Sequence, residues 1–140
     1  MLKRLFAALA LSLLLISPAH AARPLPKPQL LAVYFYADWC PNCQILSVQL
    51  GDARLDGMLD QKPVLFVKLN LTDKASIHQS ILLASQLGIA DFVQAQGSKT
   101  GYIALLDAAT KKELTRFDRN SMAGDIRGAI ETELAKKQPK

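Results

Sequence analysis

The stretch Leu30-Leu31-Ala32-Val33-Tyr34-Phe35-Tyr36-Ala37-Asp38-Trp39-Cys40-Pro41-Asn42-Cys43 decides the fold. Its first seven residues are apolar or aromatic, the pattern of a strand buried on both faces and therefore central in its sheet. Pro41 suits the first turn of a following helix, where its missing N–H costs little. Cys40 and Cys43, the only two cysteines in the chain, thus fall at a strand-to-helix junction. Two intervening residues in a first helical turn leave the sulfurs close enough to bond, and the helix N-terminus offers partial positive charge to a thiolate. Such a pair is built for thiol-disulfide exchange. It needs no organic cofactor, because the dithiol carries the two electrons itself.

Upstream, Met1-Leu2-Lys3-Arg4 is a short basic start, Leu5 to Ile16 is apolar apart from Ser12, and Ala19-His20-Ala21 is a small-x-small cleavage pattern. These are the parts of a secretory signal peptide over residues 1–21. The apolar stretch is about 12 residues long, whereas a membrane-spanning helix needs about 20, so no stable membrane anchor is expected. The expectation is a mature chain beginning at Ala22, exported across the inner membrane to a bacterial periplasm. Residues 22–29 carry Pro24, Pro26 and Pro28, which disfavour both helix and central strand, and read as an extended leader.

Removing Lys3 and Arg4 with the signal leaves 15 basic against 12 acidic residues, a net charge of about +3. Apart from Lys111-Lys112 and Lys136-Lys137 the cations are scattered, as on solvated faces, and no nucleic-acid partner is expected. The remaining length of about 119 residues suits one domain, placed at residues 30–137, and a monomer. There is no phosphate-binding glycine loop and no serine nucleophile elbow. Asp52, Asp56 and Asp60 recur at four-residue intervals, which a solvated helix face explains.

Downstream, the helix from Pro41 to about Leu50 extends towards Leu59, with a break expected at Gly51 or Gly57. Pro63 to Leu71 reads as a second buried strand. Thr72 or Asp73 caps the next helix, in which Ile77, Ile81, Ala84 and Leu87 form an apolar stripe and which Gly88 ends. Ala90 to Gly101 reads as a loop with a short helical turn around Asp91 to Gln94. Tyr102 to Leu106 and Glu113 to Phe117 are strands of an antiparallel hairpin. Asn120 or Ser121 caps a last helix containing Met122, Ile126, Ile130 and Leu134. The order is strand, helix, strand, helix, strand, strand, helix. That predicts an α/β fold, a small mixed sheet of about four strands with the first two parallel and helices on both faces.

The order of elements and Val33-Tyr34-Phe35-Tyr36-Ala37-Asp38-Trp39-Cys40-Pro41-Asn42-Cys43 resemble the thioredoxin superfamily in its compact form. Tyr-Ala-Asp-Trp-Cys together with Leu69-Asn70-Leu71-Thr72 is particularly similar to the periplasmic C-terminal domain of the transmembrane thiol-disulfide interchange reductases. The resemblance implies a catalytic pair: Cys40 attacks a partner's disulfide and Cys43 resolves the mixed disulfide. Turnover through a Cys40–Cys43 disulfide implies partner proteins with disulfides or thiols and a second redox partner for recycling. Trp39 would shape the docking surface beside the pair, with Pro41, Asn42 and Thr100 supporting substrate binding. Reduction of particular partners is the favoured direction.

Three departures from the family pattern stand out. Tyr34 occupies the place of a buried carboxylate, six residues before the first cysteine. Lys68 matches the lysine that partners this carboxylate; it either tunes the thiols from a buried position or simply reaches solvent. The family also places a cis-proline before the third strand, but no proline occurs between Pro63 and Pro139. Thr100 is the nearest positional equivalent, and a trans bond is expected there because a cis non-proline bond costs about 2.5–4 kcal/mol. Finally, Ala90 to Thr100 is longer than the family's usual link and should lie near Cys40, as a lid, a partner contact or a tolerated insertion. Asn42 adds no charge to stabilise a thiolate, so an intermediate potential is expected.

Two other readings use the same residues. The cysteines would suit a soft metal such as copper(I), in a binding or delivery module. His78, however, reads as a solvated helix residue, and no second Cys-x-x-Cys completes a four-sulfur site, so no metal ligands are assigned. A non-catalytic binding module with a structural Cys40–Cys43 bond is the other. A short loop of this kind stabilises a fold poorly.

Overall fold

A computed structural model describes residues 27–54 and 62–138. The expected signal peptide, residues 22–26 of the leader, the helix's extension towards Leu59, and Asp56 and Asp60 lie outside the described residues.

Strand β1 (Leu30–Tyr36) leads into helix α1 (Pro41–Arg54), then β2 (Val64–Asn70), α2 (Lys74–Gln86), α3 (Ala90–Gln96), β3 (Tyr102–Asp107), β4 (Glu113–Phe117) and α4 (Ala123–Ala135). The four strands form one mixed sheet in the order β2-β1-β3-β4. β1 pairs parallel with β2, antiparallel with β3, and β3 pairs antiparallel with β4. The parallel pair follows from the crossover through α1, and the hairpin from the short Ala108–Lys112 connection. β1 is central, and Leu30 to Phe35 are all buried.

Alternation along β1 divides the core into two layers. Leu30, Ala32 and Tyr34 face α1 and α4, packing with Cys43, Leu46, Ile126, Ile130 and Leu134. Leu31, Val33 and Phe35 face α2 and α3, packing with Ala84, Ile89 and Val93. Phe35 stacks on Tyr102 at 4.6 Å between ring centroids and meets Phe92 edge-on at 6.2 Å. The site therefore sits where β1 leaves the sheet, above the α1/α4 layer.

Several expectations require correction. β2 is an edge strand: only Val67 and Leu69 are buried, and Leu65 and Lys68 are exposed. A continuous apolar run cannot reveal which strand lacks a neighbour. α1 passes through Gly51 without a break; the other position considered for the break, Gly57, lies outside the described residues. In α2 the buried face is Ser80 and Ala84, while Ile77 and Ile81 line a groove with Leu71 and Val93. The Ser80 hydroxyl is satisfied by the Asn70 carbonyl at 2.9 Å, which lets a polar residue face the sheet.

The stretch from Ala90 is helical through Gln96 rather than a loop, since burial of Val93 and packing of Phe92 outweigh its polar composition. The helix docks on the sheet face opposite α1 and α4, while the end of the stretch, at Thr100, does lie beside Cys40. Asp73 caps α2 through Ser76 N–H at 2.8 Å. Neither Asn120 nor Ser121 caps α4. The Ser121 hydroxyl instead accepts from Asp118 N–H, and exposed Met122 precedes the helix with its N–H donating to Asp125.

Candidate active site

Chain geometry brings Cys40 and Cys43 to the head of α1. Cys40 N–H donates to the Ala37 carbonyl at 3.2 Å, forming a tight turn off β1, and Cys43 N–H donates to the Cys40 carbonyl at 3.0 Å. Cys43 N–H also lies 3.2 Å from the Cys40 sulfur. Cys40 is thus the residue before the first helical position, and its sulfur takes the place of a capping oxygen. Pro41, exposed, occupies the first helical position as expected. The Cys43 thiol points inward, 3.8 Å from the Phe35 carbonyl, and is fully buried, whereas Cys40 retains 6% exposure. Both are free thiols.

Their environments push the two thiols apart. Burial, the largest influence on Cys40, raises it. Hydrogen bonds from the Cys43 thiol, the Thr100 hydroxyl and the backbone N–H groups of Cys43 and Asn42 together outweigh burial and hold Cys40 below its ordinary value. Cys43 is pushed up, first by burial and then by its hydrogen bond to Cys40. The arrangement favours a thiolate on the outer sulfur and a proton on the inner one.

The wall opposite the cysteines comes from the turn into β3. Every described peptide bond is trans, including that at Thr100. Thr100 supplies a hydroxyl to both sulfurs, and Gly101 beside it also faces Cys40. Its φ is +87°, and an ideal Cβ there would lie 3.3 Å from the Cys40 sulfur and 3.0 Å from Asn42 Cβ. Thr100 and Gly101 together thus form the turn that faces the pair. Gly101 N–H donates to the Phe35 carbonyl at 2.8 Å, a bond that proline could not make.

Trp39 is 61% exposed, on the surface beside the pair rather than in the core. Its Nε1–H donates to the Thr72 carbonyl at 3.3 Å, and Asp38 N–H donates to the Thr72 hydroxyl oxygen at 3.0 Å. Thr72 in turn donates its hydroxyl proton to Asn70 Oδ1 at 2.5 Å. Asn70 and Thr72 at the end of β2 thus clamp the Asp38-Trp39 turn. Sequence reasoning saw Leu-Asn-Leu-Thr only as a likeness; the clamp depends on the parallel register that sets Tyr36 beside Asn70.

The Tyr34 hydroxyl lies beside Cys43. It donates to the Cys43 carbonyl at 2.5 Å and pairs with the Ser47 hydroxyl at 3.0 Å. Burial pushes its pKa to about 12, so it stays neutral at physiological pH. Lys68 is the solvent-reaching alternative. It is exposed, with Nζ 3.4 Å from the centroid of the Tyr36 ring, and does not lie buried beneath the thiols. Asn42 does more than expected: its N–H supports the Cys40 sulfur, and its Oδ1 accepts from Arg119 at 3.4 Å. Arg119 had no local signal, lying 77 positions away.

Among the described residues no group of three or more His, Cys, Asp or Glu side chains could hold a metal ion, and His78 is exposed on α2. No described helix is long and apolar enough to cross a membrane.

No family model matches the chain. Among solved structures it is similar to thioredoxin-2 of a malaria parasite, a component of that parasite's protein secretion machinery. Identity is 21%, the TM-score 0.51, and the match covers 76% of this chain and 85% of that one. It is also similar to Trxlp from Edwardsiella tarda, at 19% identity and TM-score 0.46, covering 72% and 81% of the two chains. Thioredoxin f2 of Chlamydomonas reinhardtii matches at 22% identity and TM-score 0.41, covering 83% and 86%. The first likeness establishes a thioredoxin-like fold, with Cys40 and Cys43 at the strand-to-helix junction described above.

Proposed function

We propose that this protein is a thiol-disulfide oxidoreductase that reduces disulfides of partner proteins outside the cytoplasm. The observation that carries the reading is the opposed environment of two thiols one helical turn apart. Both thiols are buried, but Cys40 keeps 6% exposure and is held low, whereas Cys43 has none and is held high. Structural cysteines have no need of such a division.

The Cys40 thiolate attacks one sulfur of the partner's disulfide. That S–S bond breaks, the released partner thiolate takes a proton, and Cys40 is left in a mixed disulfide. Cys43 then loses its proton and attacks the Cys40 sulfur, releasing the partner's second thiol and forming the Cys40–Cys43 disulfide. Two electrons have passed to the partner, and a second dithiol must restore the pair. Tyr34, neutral and bonded to the Cys43 carbonyl, holds the first turn of α1.

Two finer points belong to the same proposal. The leading Lys3-Arg4, apolar run and Ala19-His20-Ala21 support export to a periplasm, and the Asp38-Trp39-Cys40 and Asn70-Leu71-Thr72 segments support kinship with the interchange-reductase domains. Export is tested by N-terminal sequencing of the protein recovered from a periplasmic fraction; an intact Met1 would refute it.

The reduction potential of the Cys40–Cys43 pair, equilibrated against defined thiol buffers, tests the chemistry. A value towards about −270 mV supports a reductant, and one near about −120 mV an oxidant. Failure to form a reversible intramolecular disulfide would remove the reading altogether. Trapping then assigns the roles: Cys43→Ser should accumulate mixed disulfides on Cys40, and Cys40→Ser should accumulate none.

A further inference from the structure

The rim of the candidate site is electrostatically lopsided. On the Gly101 side stand two exposed cations, Arg119 in the turn between β4 and α4 and Lys99 just before Thr100. Among the described residues Arg119 reaches only the neutral amide of Asn42, at 3.4 Å. Neither cation has a carboxylate partner among the described residues. The nearby acids are engaged elsewhere: Asp118 accepts from Asn120 N–H at 2.8 Å, and Asp38, on the Trp39 side, hydrogen-bonds the Tyr36 hydroxyl.

Asn42 links this charge to the chemistry, because its Cβ abuts Gly101, which abuts the Cys40 sulfur. Arginine presents a planar fork suited to a carboxylate. The backbone N–H and C=O of Thr100 take no backbone partner among the described residues, leaving them free to pair with an extended segment laid over Cys40.

Resting on the thiol-exchange reading, we infer that Arg119 is a specificity residue that selects disulfides with a carboxylate beside the reacting cysteine. An acidic side chain in an extended partner segment would displace the Asn42 amide from the guanidinium while its neighbouring sulfur meets Cys40. Rim charges of this kind alter capture and its salt dependence rather than the bond-breaking step.

The test is single-turnover reduction of symmetric disulfide dimers of short peptides with Glu, Gln or Lys on both sides of the cysteine. Wild type and Arg119→Gln are compared on each peptide, and their rate ratio cancels the flanking residue's effect on the peptide's own thiol chemistry. The ratio should be about two- to fivefold larger for the Glu peptide than for the Gln peptide. Arg119→Glu should shift preference to the Lys peptide, and both effects should fade in 1 M salt, where screening acts within about 3 Å.

A second probe, 3,3′-dithiodipropionate, separates the sources of the carboxylate. The same Arg119 dependence there assigns recognition to any free carboxylate, and dependence confined to peptides assigns it to an acidic protein segment. Ratios equal across all probes overturn the inference and leave thiol exchange standing. If wild type reduces no probe at all, both fall.

Discussion

Gly101 stands against Cys40 with no room for a side chain: a β-carbon there would lie 3.3 Å from the sulfur and 3.0 Å from Asn42 Cβ, at a φ of +87°. At this point the opposing wall of the site is bare backbone, beside the Thr100 hydroxyl. Gly101→Ala should destabilise the protein by about 1–3 kcal/mol, the usual cost of a left-handed non-glycine residue, and slow reduction of protein disulfides. Gly101→Pro should fare worse, because it cannot adopt this φ and loses the bond to the Phe35 carbonyl. Urea denaturation compares the three; a Gly101→Pro variant as stable as wild type would refute this account.

The two thiols should differ sharply in reactivity with pH. Cys40 should alkylate with a midpoint below the ordinary thiol value of about 8.5, and Cys43 should resist alkylation until the protein unfolds. For the reduced protein, a lowered Cys40 contributes stability that is present above the unfolded thiol's pKa and lost as pH falls through the folded one. Raised Cys43 has the opposite sign, its contribution being lost as pH rises through its folded value. Mass-spectrometric mapping of iodoacetamide labelling across pH 5–9 reads both thiols; equal labelling would contradict the assignment.

Thr72 positions the Asp38-Trp39 turn without touching either sulfur. Thr72→Val removes the hydroxyl that accepts from Asp38 N–H and donates to Asn70. It should raise KM for a protein disulfide about fivefold, as expected for about 1 kcal/mol of lost hydrogen bonding, while leaving the Cys40 alkylation midpoint in place. Trp39 is the chain's only tryptophan, so acrylamide quenching reports the turn directly and should increase. Thr72→Ser should restore both readouts.

Tyr34 and Tyr102 are each pushed to about 12, first by burial. A raised folded pKa contributes stability that is complete below the unfolded value of about 10 and is lost as pH rises towards 12. Cooperative alkaline unfolding between pH 10 and 12 is expected, with tyrosinate absorbance at 295 nm rising alongside loss of circular dichroism. Tyr34→Phe should weaken that alkaline sensitivity, cost about 1 kcal/mol at neutral pH through the lost bonds to Cys43 and Ser47, and leave Cys40 alkylation unchanged.

Local chemistry was written in the sequence. The apolar run from Leu30 made β1 central, Pro41 marked the start of α1, and Cys-x-x-Cys at their junction indicated dithiol chemistry, because each depends on neighbours a few residues apart. Features set by distant neighbours were not legible. The edge position of β2 depends on which strand lies beyond it, and α3 forms because Val93 and Phe92 find the sheet, against the polar composition of their segment. Within the site, the sequence indicated Cys40, Cys43 and Trp39, with Pro41, Asn42 and Thr100 in support. Gly101 as the opposing wall, the Asn70-Thr72 clamp and Arg119 at Asn42 arise only when the sheet register and the β4–α4 turn bring separated residues together. Exchange chemistry needs just two sulfurs on one helical turn, a local matter; choosing a partner needs a surface, and that is assembled by the whole fold.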